Sequence, residues 1–359
     1  MESFIVAVYR VHFSINKEDY MIFPKFPEQG SALGICAPSA GVGHKIKLFD
    51  KSLAALKSSG FDIIETASVR NDNVRSADAK TRGEEFNFLV QNPDVEMIVS
   101  AAGGDYNIEI LPYLDTETLA NYPKWIAGAS DPTNIMYYVT TKLDIATMYG
   151  FNAGSFDWDT LHEFQKNSLK LMCGNTIKQY SFDKYDSNTD FSVQDVVLDG
   201  DVNWQLSMPG TDEIIDKSSA ADSPRLIAEG RLIGGCIDCI AKLIGTPFDG
   251  SKSFVKKYPH KIWFLDNFAM TSFDLYLTIM QMKYCGYFKG TKAIVFGRTM
   301  FGDKSDEEYI AQLRQAIPDI PFIWNADIGH VKPCFTVING AYGRVTCAQG
   351  KGSLEQALV

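Results

Sequence analysis

The sequence contains no run of 18 uninterrupted apolar residues, so no segment reads as a membrane-spanning helix. It has no Lys/Arg-rich run either. Basic side chains number 34 against 44 acidic ones, giving a formal charge of −10, and neither a nucleic-acid nor a membrane partner is expected. Met1 to Phe13 carry Glu2 and Arg10 and lack both a basic start and a long apolar core, which argues against a secretion signal. The cysteines are an odd seven, at 36, 173, 236, 239, 285, 334 and 347. Scattered through apolar surroundings in a long chain, they read as reduced, buried thiols and point to a cytoplasmic setting.

Signals for cofactors are also incomplete. Cys236-Ile-Asp-Cys239 has CxxC spacing, but no second pair follows, and the flanking residues favour two packed thiols over a metal or redox centre. Gly41-Val-Gly43 follows an apolar run as a dinucleotide loop does, yet Ile46 stands where the third glycine belongs. A nucleotide-binding Rossmann protein is therefore only a second alternative. Asp303, Asp306, Glu307 and Glu308 suit the positive end of a helix better than a metal. His12, His44, His162 and His260 have no motif around them. No cofactor and no metal are expected.

What is present is an ordinary globular composition of 359 residues, 45% hydrophobic and 22% charged, long enough for about two domains. Short apolar runs at Leu33–Ala37, Phe61–Thr66, Glu96–Gly103, Trp125–Ala129 and Ile145–Phe151 alternate with helical periodicity from Lys45, from about Thr81 and from Asp131. Such alternation predicts an α/β fold, a Rossmann-like parallel sheet covered by helices, over residues 21–170. Residues 1–20 form an extension without a recognised role. Residues 171–205 read as a linker and first strands, and 206–359 as a second domain. In that domain Gly234-Gly235 opens a helix to Leu243, and Phe335–Cys347 forms a terminal hairpin around Asn339-Gly340.

One local pattern carries chemistry: a strand, then Gly103-Gly104-Asp105-Tyr106-Asn107, then a helix. A nucleophile elbow has this plan, but position 107 holds no nucleophile. Ser130, after another strand in Gly-Ala-Ser-Asp-Pro-Thr, reads as a helix N-cap with Asp131 in the first turn. Its loop also edges the crevice where strand C-termini gather.

Six blocks, in order, resemble the L,D-carboxypeptidase and microcin C immunity protein family of serine peptidases. They are Gly34-Ile-Cys-Ala-Pro-Ser39, Gly103 to Asp115, Gly128-Ala-Ser-Asp-Pro-Thr133, Leu232-Ile-Gly-Gly235 with Leu243-Ile-Gly-Thr-Pro247, Ile262-Trp-Phe-Leu-Asp266, and Ala326-Asp-Ile-Gly-His-Val-Lys-Pro333. The resemblance implies a Rossmann-like domain followed by a C-terminal domain built on a small β-barrel with helices, usually in a homodimer. It implies a Ser/Glu/His triad, mapped here onto Asn107, Asp266 and His330, with Gly103, Gly104, Asp105, Tyr106, Ser130 and Asp131 as substrate-binding residues. It also implies a small peptide or peptidyl-nucleotide ligand.

On that mapping two triad members are substituted. An amide has no ionisable oxygen to attack a carbonyl. Asp266 is one methylene, about 1.5 Å, shorter than glutamate. The expectation is a strongly impaired or non-hydrolytic relative that keeps its ligand pocket. The alternative is an active serine-type carboxypeptidase with a displaced nucleophile.

Overall fold

The computed structural model describes residues 20–190 and 196–359, so the expected extension lies outside the described residues except for Tyr20. In the first half, apolar runs bounded by Gly, Pro and Ser form strands, and the amphipathic stretches form helices between them. The order is β1 (Ala32–Cys36), α1 (Ile46–Ser58), β2 (Asp62–Glu65), α2 (Ala79–Gln91), β3 (Val95–Ser100), α3 (Thr116–Asn121), β4 (Trp125–Gly128), α4 (Thr133–Leu143), β5 (Thr147–Tyr149) and α5 (Glu163–Met172). Every residue of β1 is buried, as a central parallel strand covered on both faces requires. Helices α2 and α3 start where side chains satisfy free amides: Asp78 accepts from Thr81 N–H, and Asp115 from Thr118 N–H.

The second half supplies β6 (Lys178–Tyr180), β7 (Lys184–Asp186), β8 (Leu198–Asp201), β9 (Gln205–Ser207), β10 (Ile214–Ile215), β11 (Leu226–Cys236), α6 (Ile237–Leu243), α7 (Ser251–Lys257), β12 (Lys261–Asp266), α8 (Ser272–Tyr284), β13 (Thr291–Gly297), α9 (Asp306–Ala316), β14 (Phe322–Ala326), β15 (Val337–Asn339), β16 (Tyr342–Ala348) and β17 (Lys351–Ala357). No described helix is long and apolar enough to cross a membrane.

Two large sheets result. The first runs β15-β5-β4-β3-β1-β2, with β1 to β5 parallel and β15 antiparallel at one edge. In this doubly wound order the crevice for ligands opens at the C-terminal ends of the strands. The second runs β10-β9-β14-β13-β12-β11-β16-β17-β6, around a parallel core of β11 to β14. A bridge from Trp204 to Gly350 ties the two sides of this sheet together. It curls around an interior lined by Trp204, Leu232, Phe264, Val295, Phe335 and Val345. The parallel-sheet α/β unit expected from the alternation, and the β-rich second unit that the resemblance implied, are the fold observed.

Two sequence readings change. Gly234 and Gly235 lie within β11, and the helix begins only at Ile237. They are glycines because of close approach: a Cβ on Gly234 would stand 1.7 Å from the Phe264 carbonyl oxygen, and one on Gly235 2.7 Å from Thr133 Cγ2. The stretch Phe335–Cys347 is likewise not a hairpin. Its first strand, β15, leaves for the first sheet and pairs Val337 with Tyr149, while β16 pairs with β11 and β17. The second half of the chain thus completes the first sheet and locks the two units together.

Gly234→Ala is expected to cost about 3 kcal/mol, because a methyl group cannot enter the β11–β12 contact without moving backbone. In a chain of this size that lowers the calorimetric midpoint by several degrees. An unchanged midpoint would mean that β11 and β12 separate more easily than their register indicates.

Candidate active site

At the C-terminal end of β4 the chain turns sharply through Ala129, Ser130 and Asp131 before α4. Ser130 has φ +68°, a left-handed conformation rare for a residue with a side chain. A strand, a turn with one residue at positive φ and a helix together make an elbow that projects the turn side chain above the sheet. Small neighbours let it close: a Cβ on Gly128 would lie 2.6 Å from Pro132 Cβ, and one on Gly103 3.0 Å from Ser130 Cβ. The N-cap reading of Ser130 does not hold. Pro132 is the capping residue of α4 and makes no side-chain cap bond, while Ser130 Oγ lies 2.9 Å from His330 Nε2.

His330 follows β14 on a loop anchored by the buried Asp327. That carboxylate pairs with Arg298 at 2.6 Å and accepts bonds from Trp204 Nε1 at 3.1 Å and Phe182 N–H at 3.0 Å. On its other side, His330 Nδ1 stands 2.7 Å from Asp266 Oδ2. Asp266 ends β12 and is fully buried. Gly329 makes room for it, since a Cβ there would come within 2.0 Å of Asp266 Oδ1. Burial by itself would lower the His330 pKa, but the Asp266 charge outweighs it, with help from Asp238, and the imidazole is shifted above its ordinary value of 6.5. Phe268 packs on the ring at 4.4 Å between centroids.

The aspartate therefore reaches the histidine despite its shorter side chain. The Tyr149 hydroxyl also donates to Asp266 Oδ2, and it lies 3.5 Å from the Ser130 amide nitrogen. No sequence signal pointed to Tyr149, because its role depends on β5 lying beside β12 in space.

Asn107, mapped onto the nucleophile position, is elsewhere. It opens a short 3-10 helix, Asn107–Tyr113, and is wholly buried. Its backbone N–H donates to Asp131 Oδ2 at 2.7 Å, and its side-chain oxygen and nitrogen have no hydrogen-bond partner among the described residues. The structure brings Ser130, not Asn107, to His330. The two glycine-bearing turns after β3 and β4 lie side by side at the C-terminal end of the sheet.

The remaining expected residues divide between rim and scaffold. Gly104 and Asp105 are exposed at the rim. Tyr106 is half-buried, with the Arg75 guanidinium 3.5 Å from its ring centre, and its N–H donates to Ser39 Oγ. Asp131 faces inward. Its Oδ2 accepts from Ser39 Oγ at 2.5 Å as well as from Asn107, and its Oδ1 accepts from Asn134 Nδ2 at 2.9 Å. Burial pushes this carboxyl above the usual aspartate range, against the stabilising bonds from Ser39 and Asn107. Sequence reasoning missed Ser39 as a member of this cluster.

Cys239 Sγ lies 3.8 Å from the Ser130 carbonyl oxygen, and both it and Cys236 are buried. The Cys236 pKa is raised well above the ordinary thiol range by its hydrogen bond with Cys239 and by burial. Among the described residues no group of three or more His, Cys, Asp or Glu side chains is arranged to hold a metal ion. Near Asp238, a groove of about 430 Å³ is lined by Lys242, Met270, Asp274, Leu277 and Gln281.

Residues 33–150 match the LD-carboxypeptidase N-terminal domain, and residues 229–345 the LD-carboxypeptidase C-terminal domain. The chain is 25% identical over 346 residues to a candidate carboxypeptidase of Vibrio cholerae, covering 90% of this chain and 95% of that one. It is 25% identical over 320 residues to the microcin C7 self-immunity protein MccF of Escherichia coli, covering 86% and 88%. The muramoyltetrapeptide carboxypeptidase of Oxalobacter formigenes has the same fold, with a TM-score of 0.69 over 91% of this chain and 99% of that one at 21% identity. With both halves of the family matched in order, and with the two sheets meeting at one cluster of Ser130, His330 and Asp266, the chain belongs to the LD-carboxypeptidase family.

Proposed function

We propose that this protein is an active serine-type hydrolase of C-terminal amide or peptide bonds, with Ser130 as nucleophile, His330 as general acid and base, and Asp266 as the carboxylate that orients the histidine. The observation that carries this reading is the unbroken contact from Ser130 Oγ to His330 Nε2 and from His330 Nδ1 to Asp266 Oδ2. Inactivity was expected chiefly because Asn107 stood in for the serine, with the shorter Asp266 as a second and weaker ground. With Ser130 in contact with the imidazole, that reason lapses, and the displaced-nucleophile alternative becomes the better account.

In the proposed reaction Ser130 attacks the scissile carbonyl while His330 takes its proton, and the imidazolium then protonates the departing amine. Asp266 orients the imidazole and stabilises the imidazolium. Negative charge on the tetrahedral oxygen is assigned to the N–H groups of Asp131, at the positive end of α4, and of Gly104, on the loop packed against Ser130. Water then attacks the acyl-enzyme with His330 again as base. No step calls for a metal or cofactor.

The substrate class is drawn from the relatives. One is named a muramoyltetrapeptide carboxypeptidase, and MccF is described in complex with aspartyl sulfamoyl adenosine. A murein tetrapeptide and a peptidyl nucleotide share an acyl group on a leaving nitrogen, and both are proposed as ligands. We also propose a cytoplasmic location and a homodimer. The surface assigned to the second copy is the α8 stripe of Phe273, Leu277 and Tyr284, exposed by 62%, 46% and 79%.

Ser130→Ala is expected to remove cleavage of both substrate types, by up to about 10⁶-fold as for other serine nucleophiles. Asn107→Ser is expected to add nothing. Cleavage that survives in Ser130→Ala would remove Ser130 as the nucleophile, and cleavage that appears only in Asn107→Ser would return that role to position 107. The pH dependence follows from the raised His330 pKa. The base works only when neutral, so kcat/KM falls as pH drops through that pKa, and the acid limb is expected to have its midpoint above 6.5. A midpoint well below 6.5 would mean that Asp266 does not act on the imidazole. For the dimer, sedimentation is expected to give twice the chain mass, and Phe273→Glu with Leu277→Lys to give the single chain. A monomeric unaltered protein would remove the proposal.

A further inference from the structure

We propose that Tyr149 is a positioning residue that sets the reach and the charge of the Asp266 carboxylate toward His330. The inference rests on the serine-hydrolase reading above and extends it to a side chain contributed by the opposite sheet.

The geometry is unusually constrained. Tyr149 ends β5, where its backbone is paired with Gly128 of β4 on one side and Val337 of β15 on the other. The strand before the Ser130 elbow and the strand after the His330 loop therefore both fix its position. The ring is fully buried and packs on Phe264 of β12, two residues before Asp266, with 5.8 Å between centroids. From there the hydroxyl donates to Asp266 Oδ2, the same oxygen that faces His330 Nδ1. The other carboxylate oxygen, Oδ1, is buried without a hydrogen-bond partner among the described residues. So Tyr149 and His330 share one oxygen. The phenol itself stays neutral, since burial and the Asp266 charge raise its pKa well above 10.

Two consequences follow from an O–H donor at that oxygen. The first is steric: Asp266 has one methylene fewer than glutamate, and a fixed donor holds the short side chain in the rotamer that meets the imidazole. The second is electrostatic: a hydrogen bond withdraws charge from Oδ2 and so moderates its pull on the imidazolium proton. Tyr149 thus tunes the histidine it does not touch. The 3.5 Å approach of its oxygen to the Ser130 amide nitrogen keeps nucleophile backbone and orienting carboxylate in one unit.

The test is to read the His330 titration by NMR of the imidazole ring protons, assigned with His330→Gln, alongside the rate at which a fluorophosphonate labels Ser130 by intact mass. Tyr149→Phe keeps the ring and deletes the donor. It is expected to move the His330 pKa up by about one pH unit and to slow labelling roughly tenfold, well short of the about 10⁴-fold cost of disabling the carboxylate itself. Replacing Tyr149 by 3-fluorotyrosine, a stronger donor of nearly the same shape, is expected to shift the His330 pKa down. It stands as the second variant if Tyr149→Phe does not fold. An unmoved or oppositely moved titration in the folded variants would overturn the proposal. Labelling that persists in Ser130→Ala would instead overturn the assignment of the nucleophile, which the His330 titration does not depend on.

Discussion

A carboxylate with no exposure must be compensated where it sits, and Asp266 imposes that constraint on everything around it. It ends a strand whose six residues are all buried, so water cannot serve it. Compensation comes from His330 on the loop after β14 and from Tyr149 on β5 of the other sheet. Both must arrive together. That requirement accounts for the glycine at 329, whose Cβ would occupy the carboxylate's own space. It also gives a reason for β15 to cross from the second half of the chain to pair with β5, since that pairing fixes Tyr149 relative to the strand bearing Asp266 and the loop bearing His330.

A second buried carboxylate organises the facing half of the site. Asp131 accepts from the β1 loop through Ser39, from the β3 loop through the Asn107 amide, and from α4 through Asn134. These bonds join the turn carrying Ser130 to the loop carrying Gly103 and Gly104. The distance between the proposed nucleophile and the proposed oxyanion donors is then a property of the scaffold, not of the substrate. Preorganisation of this kind lets fixed dipoles act without rearranging during the reaction. Asp131, expected as a substrate contact, also ties the two turns together.

Much of the fold was legible because its signals are local. Strands such as Trp125–Gly128 and Lys261–Asp266 are apolar runs with hard stops, and the alternation with helices fixes a parallel sheet. His330 and Asp266 were legible through ordered blocks. What escaped were features decided by packing between distant segments. Gly234 and Gly235 look like a helix opening in sequence, but they are strand residues made small by β12 and α4. Val337–Asn339 looks like half of a hairpin, yet its partner lies 188 residues earlier, as the register Val337 to Tyr149 makes plain. Tyr149 carries no sequence signal at all.

The mapping of the nucleophile position onto Asn107 is the instructive case. Two turns follow adjacent strands, and the one with more glycine seemed the sharper. Sharpness at an elbow is not, however, a matter of glycine at the nucleophile, because the nucleophile itself must take the left-handed conformation. Ser130 does so at φ +68°, while the glycines that permit it are Gly128 before it and Gly103 across from it. A serine in that conformation is strained by about 1–3 kcal/mol and keeps it only where its surroundings hold it there. Here they do: Thr133 N–H bonds the Ser130 carbonyl, Tyr149 lies behind its amide, and His330 meets its hydroxyl. Strain concentrated at one residue, and contacts that converge on that residue from both sheets, are stronger reasons for assigning the reactive oxygen than any glycine pattern read along the chain.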